Sequence, residues 1–317
     1  LWVTAPSSTQ VSDGLGPLYN ARACQDCHLK DGRGHPPEGP EDTRVSMSLR
    51  LSIPGGPVPE GIADWIATSP DPTYGSQLQD FAAPGHAAEG RMDVTNRETS
   101  VTLADGTVIQ LRTPDYALSN PAYGAPADGI LLSPRVAPQM IGLGLLEAIP
   151  AADILALADP EDANGDGISG RPQIVPSVEF SIPMLGRFGL KAGAPTVKEQ
   201  SAGAFAGDMG LSTPLHPDPW GDCTTGQTTC RTALDGQEPG VRDSLEVDGE
   251  SLDLVTFYAR NLGVPERRNS GDPQVLKGKA DGRGGGLRCK ARATGGCQCH
   301  DGGLGQSFHG LPPVGLW

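Results

Sequence analysis

Apolar residues recur at spacings of three and four in three stretches of the chain, and this periodicity predicts helices. Between residues 139 and 158 the pattern breaks at Pro150, so we expect two short buried helices there. Further helices are expected within Lys198–Phe205 and within Ser251–Leu262. One face of the last helix is predicted to carry Leu252, Leu254, Val255, Tyr258 and Leu262.

A β-hairpin is predicted within the stretch from Gly90 to Pro114. Val101–Leu103 and Val108–Leu111 are rich in strand-forming residues, and Asp105-Gly106 between them is typical of a tight turn. Turn-forming residues dominate most of the remaining chain. We therefore expect a mainly α fold with one β-hairpin insertion and many loops.

The composition indicates a thin hydrophobic core. The 317 residues include 44 Gly and 30 Pro, and only 37% are hydrophobic and 5% aromatic. A buried cofactor would supply the missing apolar surface, and the length leaves room for two domains of about 100 to 200 residues each. The net charge of −14 argues against nucleic acid or anionic lipid as a partner and favours a basic redox partner. No run of about 18 apolar residues is present, so no membrane span is expected.

Cys24-Gln25-Asp26-Cys27-His28 is the most specific chemical motif in the chain. This C-x-x-C-H spacing allows two thiols to bond the vinyl groups of one haem while the adjacent His binds its iron. A zinc half-site and a redox dithiol are the alternatives. A zinc site needs further ligands, and a thioredoxin-type dithiol needs a strand that leads into a helix. The sequence near residue 24 shows neither the ligands nor the strand. We therefore expect covalent haem c.

Two further cysteines indicate the compartment. Cys223 and Cys230 bracket a polar loop without a neighbouring His, which favours a short-loop disulfide. Disulfides persist in oxidising compartments, and covalent haem attachment is typically completed outside the cytoplasm. For a bacterial protein we therefore expect the periplasm or the cell surface, and of these the periplasm. The chain begins at Leu1 rather than Met, and we interpret it as a fragment or as a mature chain whose export signal is missing.

Residues 162–170 resemble a calcium-binding loop. Short oxygen side chains alternate around turn glycines, so the candidate ligands are Asp162, Asn164, Asp166 and the backbone of Ile168. Position twelve is Gln173 rather than a bidentate Glu, so a complete EF-hand is not expected. A calcium site and an Asx-turn loop that ends the preceding helix are both open.

Four segments together resemble a known family, the dihaem c-type oxidoreductases with proposed peroxidase activity, which are similar to bacterial dihaem cytochrome c peroxidases. The segments are Gly16–Arg22, Ser133–Gly144, Asp162–Arg171 and Gly203–Gly210. The resemblance extends from about Gly16 to Ala280. It implies two cytochrome c-like, mostly helical haem domains, with His28 as the proximal ligand of the first haem and a second C-x-x-C-H motif further along.

The second motif departs from that pattern. The chain reaches Cys297-Gln298-Cys299-His300, one residue short, in a Gly-rich and basic tail. Cys299 and His300 keep the spacing for one thioether and the axial ligand. A reading-frame error after about residue 280 and a genuine single-thioether variant are the alternatives. We expect a first haem domain at 1–245 and a second at 246–317, truncated or scrambled after 280.

The ligand on the distal side of the iron decides between peroxide chemistry and pure electron transfer. Candidate ligands are Met140, Met209, His35, His86 and His216. Glu89 is a candidate for moving peroxide protons, and Arg91 for pairing a haem propionate, although surface ion pairing is the alternative for each. Trp65 and Trp220 are candidate electron relays. We expect a periplasmic dihaem oxidoreductase that receives electrons from a small donor protein and reduces a small oxidant such as peroxide.

Overall fold

The computed structural model describes residues 1–8, 12–37, 42, 46–62, 67–165, 167–283, 289–291 and 297–299. The described strands are β1 Val3–Thr4, β2 Asp13–Leu15, β3 Leu18–Tyr19, β4 Met47–Pro54, β5 Thr68–Ser69, β6 Phe81–Ala82, β7 Arg91–Thr102, β8 Val108–Ser119, β9 Leu131–Val136, β10 Ile174–Pro176, β11 Pro183–Leu185, β12 Cys289–Ala291 and β13 Cys297–Cys299. The described α-helices are α1 Cys24–Cys27, α2 Leu143–Glu147, α3 Ala151–Leu155, α4 Val197–Met209, α5 Thr228–Arg231, α6 Gly249–Asn261 and α7 Pro273–Arg283. Two 3₁₀ turns span Leu29–Asp31 and Arg242–Ser244.

The expectation of a mainly α, cytochrome c-like helical fold was wrong. The structure is 21% helix and 24% strand, and its helices are short. The many Gly and Pro residues break the chain before long helices can form. The sequence also contained an overlooked strand signal, because apolar and polar residues alternate strictly from Met47 to Ile53, which is the pattern of a half-buried strand.

β4 is the central strand of a three-stranded sheet with the order β5-β4-β9. β4 and β9 are antiparallel, with Met47 opposite Val136 and Leu51 opposite Leu132. The apolar residues of β4 point into a core cluster formed by Leu49, Leu51, Tyr74 and Leu78. The polar residues of β4 therefore lie on the opposite face of the sheet.

The hairpin was predicted correctly and is longer than expected. β7 and β8 pair antiparallel from Arg91 opposite Ser119 to Thr102 opposite Val108. Gly106, at φ +86°, occupies the turn, and this left-handed backbone conformation favours glycine. Only the base of the hairpin packs against the core, through Met92 and Leu118.

Helices α4 and α6 confirm the two predicted helical stretches. Each begins at a side-chain cap, since the Thr196 hydroxyl accepts from Glu199 N and the Asp248 carboxylate accepts from Ser251 N. α4 ends at Gly210, which has a positive φ and lies so close to Gly16 that a Cβ on either residue would clash. The two helices pack in a core cluster of Leu15, Ala202, Phe205, Met209, Leu211, Val247 and Leu252.

The predicted orientation of α6 was only partly right. Leu252 is buried, but Leu254 is 63% exposed and Tyr258 is 52% exposed. The buried face is formed instead by Leu252, Thr256 and Ala259. The two short helices predicted around Pro150 are α2 and α3, but neither contains a buried residue.

Cys223 and Cys230 form the predicted disulfide. Among the described residues, none of the helices has the length and apolar character that crossing a membrane requires. The division into domains at residue 245 stays a prediction.

Candidate functional site

The C-x-x-C-H motif forms a single helical turn near the surface. α1 places Cys24 in an exposed position and Cys27 in a half-buried one, both as thiols. The Asp26 carboxylate accepts hydrogen bonds at 3.1 Å from the backbone N–H groups of Arg22 and Ala23, which holds the chain that enters the turn. Burial, followed by the charges of Asp208 and Asp26, raises the pKa of the Cys27 thiol to about 12.

His28 is oriented by a residue 110 positions away. Its Nδ1 lies 2.7 Å from the carbonyl oxygen of Pro138. A carbonyl oxygen can only accept, so Nδ1 must carry the proton and Nε2 keeps its lone pair. Metal-binding histidines are commonly held this way, with one ring nitrogen donating to the protein and the other available to the metal.

Asp31 joins three segments beside His28. Its carbonyl oxygen accepts from Met140 N at 2.9 Å, and its carboxylate accepts from the Tyr258 hydroxyl of α6. These bonds lie beside a cavity of about 480 Å³ that is open to solvent on one side. It is lined by Cys24, Gln25, His28, Lys30, Asp31, Met140, Leu254, Val255 and Tyr258. The structure thus brings the predicted residues Cys24, His28 and Met140 to one cavity.

This cavity has the chemistry that a haem requires. A thiol for thioether formation and an oriented imidazole lie beside a thioether side chain, Met140. The exposed apolar residues Leu254 and Tyr258 form one of its walls, and a macrocycle would cover them. The residues present therefore fit a haem at Cys24, Cys27 and His28.

Glu89 lies elsewhere, in the protein interior, and does not line this cavity. It is 1% exposed. Its carboxylate accepts from Gln227 Nε2 at 2.6 Å and from Gln79 N at 2.7 Å. Burial raises the pKa of Glu89 to about 8 against the opposing effect of these two hydrogen bonds, so Glu89 is mostly protonated at neutral pH.

A buried polar network connects the surroundings of Glu89 to the cysteine motif. Gln79 Nε2 donates to Gly207 O at 2.9 Å, and Gln77 Nε2 donates to Asp208 Oδ1 at 2.8 Å. Asp208 interacts electrostatically with His28 and with both cysteines of the motif. Among the described residues, the side-chain oxygens Gln77 Oε1 and Gln79 Oε1 are buried without a hydrogen-bond partner. Such acceptors mark a place where a water or a ligand group is expected.

The other candidate residues lie away from the cavity. Arg91 forms an ion pair with Asp93 at 3.5 Å at the base of the hairpin, with both side chains about half exposed. Met209 is 3% exposed in the core. The pKa of His216 is lowered by burial, His35 Nδ1 lies 3.0 Å from Pro36 O, and His86 Nδ1 has no hydrogen-bond partner among the described residues. The ring of Trp220 stacks against the Arg231 guanidinium at 4.5 Å, and Trp65 lies outside the described residues.

The calcium-like loop is closed by its own hydrogen bonds. The Asp162 carboxylate accepts from Gly167 N at 3.0 Å, and the Asp159 carboxylate accepts from Ala163 N at 2.7 Å. No cluster of three or more His, Cys, Asp or Glu side chains suited to a metal occurs among the described residues, but Asp166 is not one of them. Calcium at Asp162, Asn164 and Ile168 stays a prediction.

The second motif lies on a strand. β13 pairs antiparallel with β12, which places Cys299 opposite Cys289. His300 lies outside the described residues. A haem at Cys299 and His300 therefore stays a prediction.

Sequence reasoning missed the residues that hold the site together. They are Asp31, Gln79, Pro138, Asp208, Gln227 and Tyr258. Pro138 and Asp208 lie inside two of the segments that carry the family resemblance, which was a usable signal. The others had none, because their roles depend on contacts between distant parts of the chain.

Comparison with known proteins identifies the family. The family model described as "Di-haem oxidoreductase, putative peroxidase" matches residues 2–291, which is nearly the whole chain. No curated protein and no solved structure gave a significant match. The family name implies haem cofactors and suggests peroxide as a substrate. The chain therefore belongs to the di-haem oxidoreductase, putative peroxidase family.

Proposed function

We propose that this protein is a periplasmic c-type haem oxidoreductase that takes electrons from a small donor protein and reduces peroxide. The observation that carries the proposal is the bond between His28 Nδ1 and Pro138 O, beside Cys24 and Cys27. It leaves His28 Nε2 oriented for a metal next to two thiols at the spacing for covalent haem attachment.

Each residue of the site would have its own role in this function. Cys24 and Cys27 would hold haem through thioether bonds, and His28 Nε2 would bind its iron. Haem, when bound, supplies the iron that exchanges electrons. Pro138 would fix the imidazole, and Leu254 and Tyr258 would form an apolar wall of the cavity that a bound macrocycle covers.

Glu89 is the candidate proton donor. Reduction of hydrogen peroxide to two water molecules consumes two electrons and two protons. A carboxyl group with a pKa of about 8 holds one of these protons at neutral pH, so Glu89, which does not line the cavity, would act as a buried proton reservoir rather than as an acid in contact with peroxide. Gln227 and Gln79 fix the position of the carboxyl group. Gln79 N donates to Glu89, and Gln79 Nε2 donates to Gly207 O, one residue before Asp208, whose charge acts on His28. This proximity supports a connection between Glu89 and the haem motif.

A pure electron-transfer cytochrome is the second candidate, and Met140 favours it. Met140 lines the same cavity as His28. Iron with a His and a Met ligand has both axial positions filled and mainly passes electrons. Met140 also packs against a core cluster of Phe188, Val197 and Ala259, which is the structural alternative for this residue.

The test is the intact mass of the denatured chain after expression in a periplasm with cytochrome c maturation. Wild type is expected to carry covalent haem, and the variant Cys24→Ser/Cys27→Ser to carry one haem fewer. Cys289→Ser, outside both motifs, is the matched control and keeps the wild-type mass increment. A wild-type chain without covalent haem rejects the proposal.

Peroxide turnover then separates the two candidates. The reduced wild type is expected to consume hydrogen peroxide, and Glu89→Gln to lower the rate by up to about 100-fold, because the variant has no carboxyl proton to supply. A haem-loaded wild type without turnover favours the electron-transfer cytochrome.

A further inference from the structure

Two arginines lie together on the polar face of the sheet formed by β4 and β9. Arg50 is directly opposite Ser133, and Arg135 is directly opposite Ser48. Since directly paired residues share a face and the two pairs are two residues apart, the arginines are diagonal neighbours on the same face. The buried residues Leu49 and Leu51 occupy the other face.

This pair of positive charges has no carboxylate in contact. Arg135 Nε donates to Ser133 Oγ at 3.0 Å, and Arg50 Nη1 lies 3.4 Å from Ser76 Oγ. Among the described residues, neither guanidinium has a carboxylate oxygen within the 4.0 Å of an ion pair. Burial, and then the charge of Arg50, lowers the pKa of Arg135. A chain with a net charge of −14 thus holds two arginines that repel each other.

The nearest acidic groups are already engaged. Asp208 and Asp222 lie within electrostatic range of Arg50. Asp222 accepts from the backbone N–H groups of Ser76 and Gln77, and burial raises the pKa of both carboxyl groups. Arg135 has no comparable acidic neighbour among the described residues. Neither guanidinium is thus in direct contact with a carboxylate, and an anionic ligand would balance the charge of Arg135 and add to the more distant balance of Arg50.

The arginine pair does not line the cavity but is linked to the haem motif through Asp208 and Pro138. Arg50 is bridged to Gln77, whose side chain donates to Asp208, and the charge of Asp208 acts on Cys24, Cys27 and His28. Arg135 is three residues before Pro138, the residue that orients His28. Three residues of extended chain span at most about 10 Å, so Arg135 is within reach of a macrocycle bound at His28.

We propose that Arg50 and Arg135 bind the two propionate carboxylates of the haem attached at Cys24 and Cys27. This inference rests on the proposed function. Guanidinium groups bind carboxylates with paired hydrogen bonds, and two arginines match two propionates in charge. Arg91, which the sequence suggested for this role, lies on the hairpin and is paired with Asp93.

The test is the midpoint potential of the matured haem protein in Arg50→Gln and Arg135→Gln. All variants also carry Cys299→Ser. This change removes the cysteine of the second motif that could attach a haem, so that only the first haem is observed. The matched control is Arg112→Gln, since Arg112 is an exposed arginine that pairs with Glu98 on the hairpin. Intact mass counts the covalent haem in every variant.

Loss of a positive charge beside a propionate favours ferric haem, so both variants are expected to lower the midpoint potential, while Arg112→Gln leaves it unchanged. Arg135→Lys keeps the positive charge, so it is expected to shift the midpoint potential less than Arg135→Gln does. If a Gln variant does not fold, the Lys variant still tests the assignment. Potentials equal to that of Arg112→Gln in haem-loaded protein overturn the propionate assignment. If the intact mass shows no covalent haem in the parent chain, the result rejects the proposed function rather than the propionate assignment.

Discussion

The hydroxyl of Tyr258 donates to the carboxylate of Asp31, at 3.0 Å from Oδ1 and 2.9 Å from Oδ2. The two residues are 227 positions apart, and this contact ties α6 to the turn that follows the haem motif. Asp31 also accepts from Met140 N. One residue therefore holds both the helix and the methionine segment against the cavity.

We expect Tyr258→Phe to weaken the contact between α6 and the segment around Asp31 without unfolding the protein. The Asp31 carboxylate loses its donor, so the Asp31–Met140 backbone bond opens more often. The measurement is amide hydrogen exchange, which is expected to be faster at Met140 than in wild type. Tyr116→Phe, on the hairpin, is the control. Equal exchange at Met140 in the two variants would show that the Tyr258 hydroxyl does not hold the segment.

Glu89 makes stability depend on pH. Its pKa is about 8 in the folded protein, against an ordinary value of 4.5. Between these values the unfolded chain releases the proton while the folded chain keeps it, so stability falls as pH rises. The loss approaches about 1.4 kcal/mol per pH unit and ends above pH 8, where both states are ionised.

The check is urea unfolding of wild type and Glu89→Gln at pH 5, 6, 7 and 8. The free energy of unfolding of wild type is expected to fall relative to the variant across this range. Burial also raises the pKa of Asp80 to about 6, but Asp80 is present in both proteins, so the difference retains only its electrostatic interaction with Glu89. Glu98→Gln on the exposed hairpin serves as the control, with a profile parallel to wild type. Parallel profiles for Glu89→Gln would exclude a raised pKa.

Local elements were largely predictable from the sequence, whereas their packing was not. Periodicity and turn chemistry indicated α4, α6 and the β7–β8 hairpin. The α6 face was misjudged because Leu254 and Tyr258 border the cavity beside His28, so hydrophobicity there does not mean contact with the protein core. The mainly α prediction failed because neighbouring residues do not reveal the pairing of β4 with β9, which are about 80 residues apart in the chain.

In the site, too, the local features were predictable from the sequence and the long-range contacts were not. The spacing of Cys24, Cys27 and His28 is a local signal and could be recognised directly. The Pro138 carbonyl that orients His28 and the Gln227 amide that contacts Glu89 are 110 and 138 positions away. Only the folded chain brings them together.

The two candidate methionines are expected to behave differently. Met209 is buried in the core, so Met209→Ala should lower the free energy of unfolding by about 2–5 kcal/mol and leave the visible spectrum unchanged. Met140 lines the cavity, so in the electron-transfer alternative Met140→Ala should change the spectrum of the oxidised protein through loss of a thioether ligand, whereas in the peroxidase proposal the iron ligands stay the same. An unchanged spectrum in Met140→Ala would assign Met140 to packing alone.

The Cys223–Cys230 disulfide closes the loop that places Gln227 against Glu89. Cys223 and Cys230 close a loop in which Gln227 Oε1 accepts from Thr224 N at 2.7 Å, while its Nε2 donates to Glu89 Oε1. Removal of the bridge as Cys223→Ala/Cys230→Ala is expected to lower the free energy of unfolding by about 2–4 kcal/mol. The loosened loop also weakens the hydrogen bond that holds the pKa of Glu89 down, so this pKa rises further.

Both effects can be measured by repeating the Glu89→Gln comparison without the disulfide. The difference in unfolding free energy between the chain that keeps Glu89 and its Glu89→Gln variant should then continue to change above pH 8, because the folded-state pKa has moved upward. Thr225→Ala, an exposed position in the same loop, is the matched control and should alter neither stability nor the pH profile. If the profile without the disulfide still levels off at pH 8, Gln227 is held against Glu89 by the surrounding fold rather than by the Cys223–Cys230 bridge.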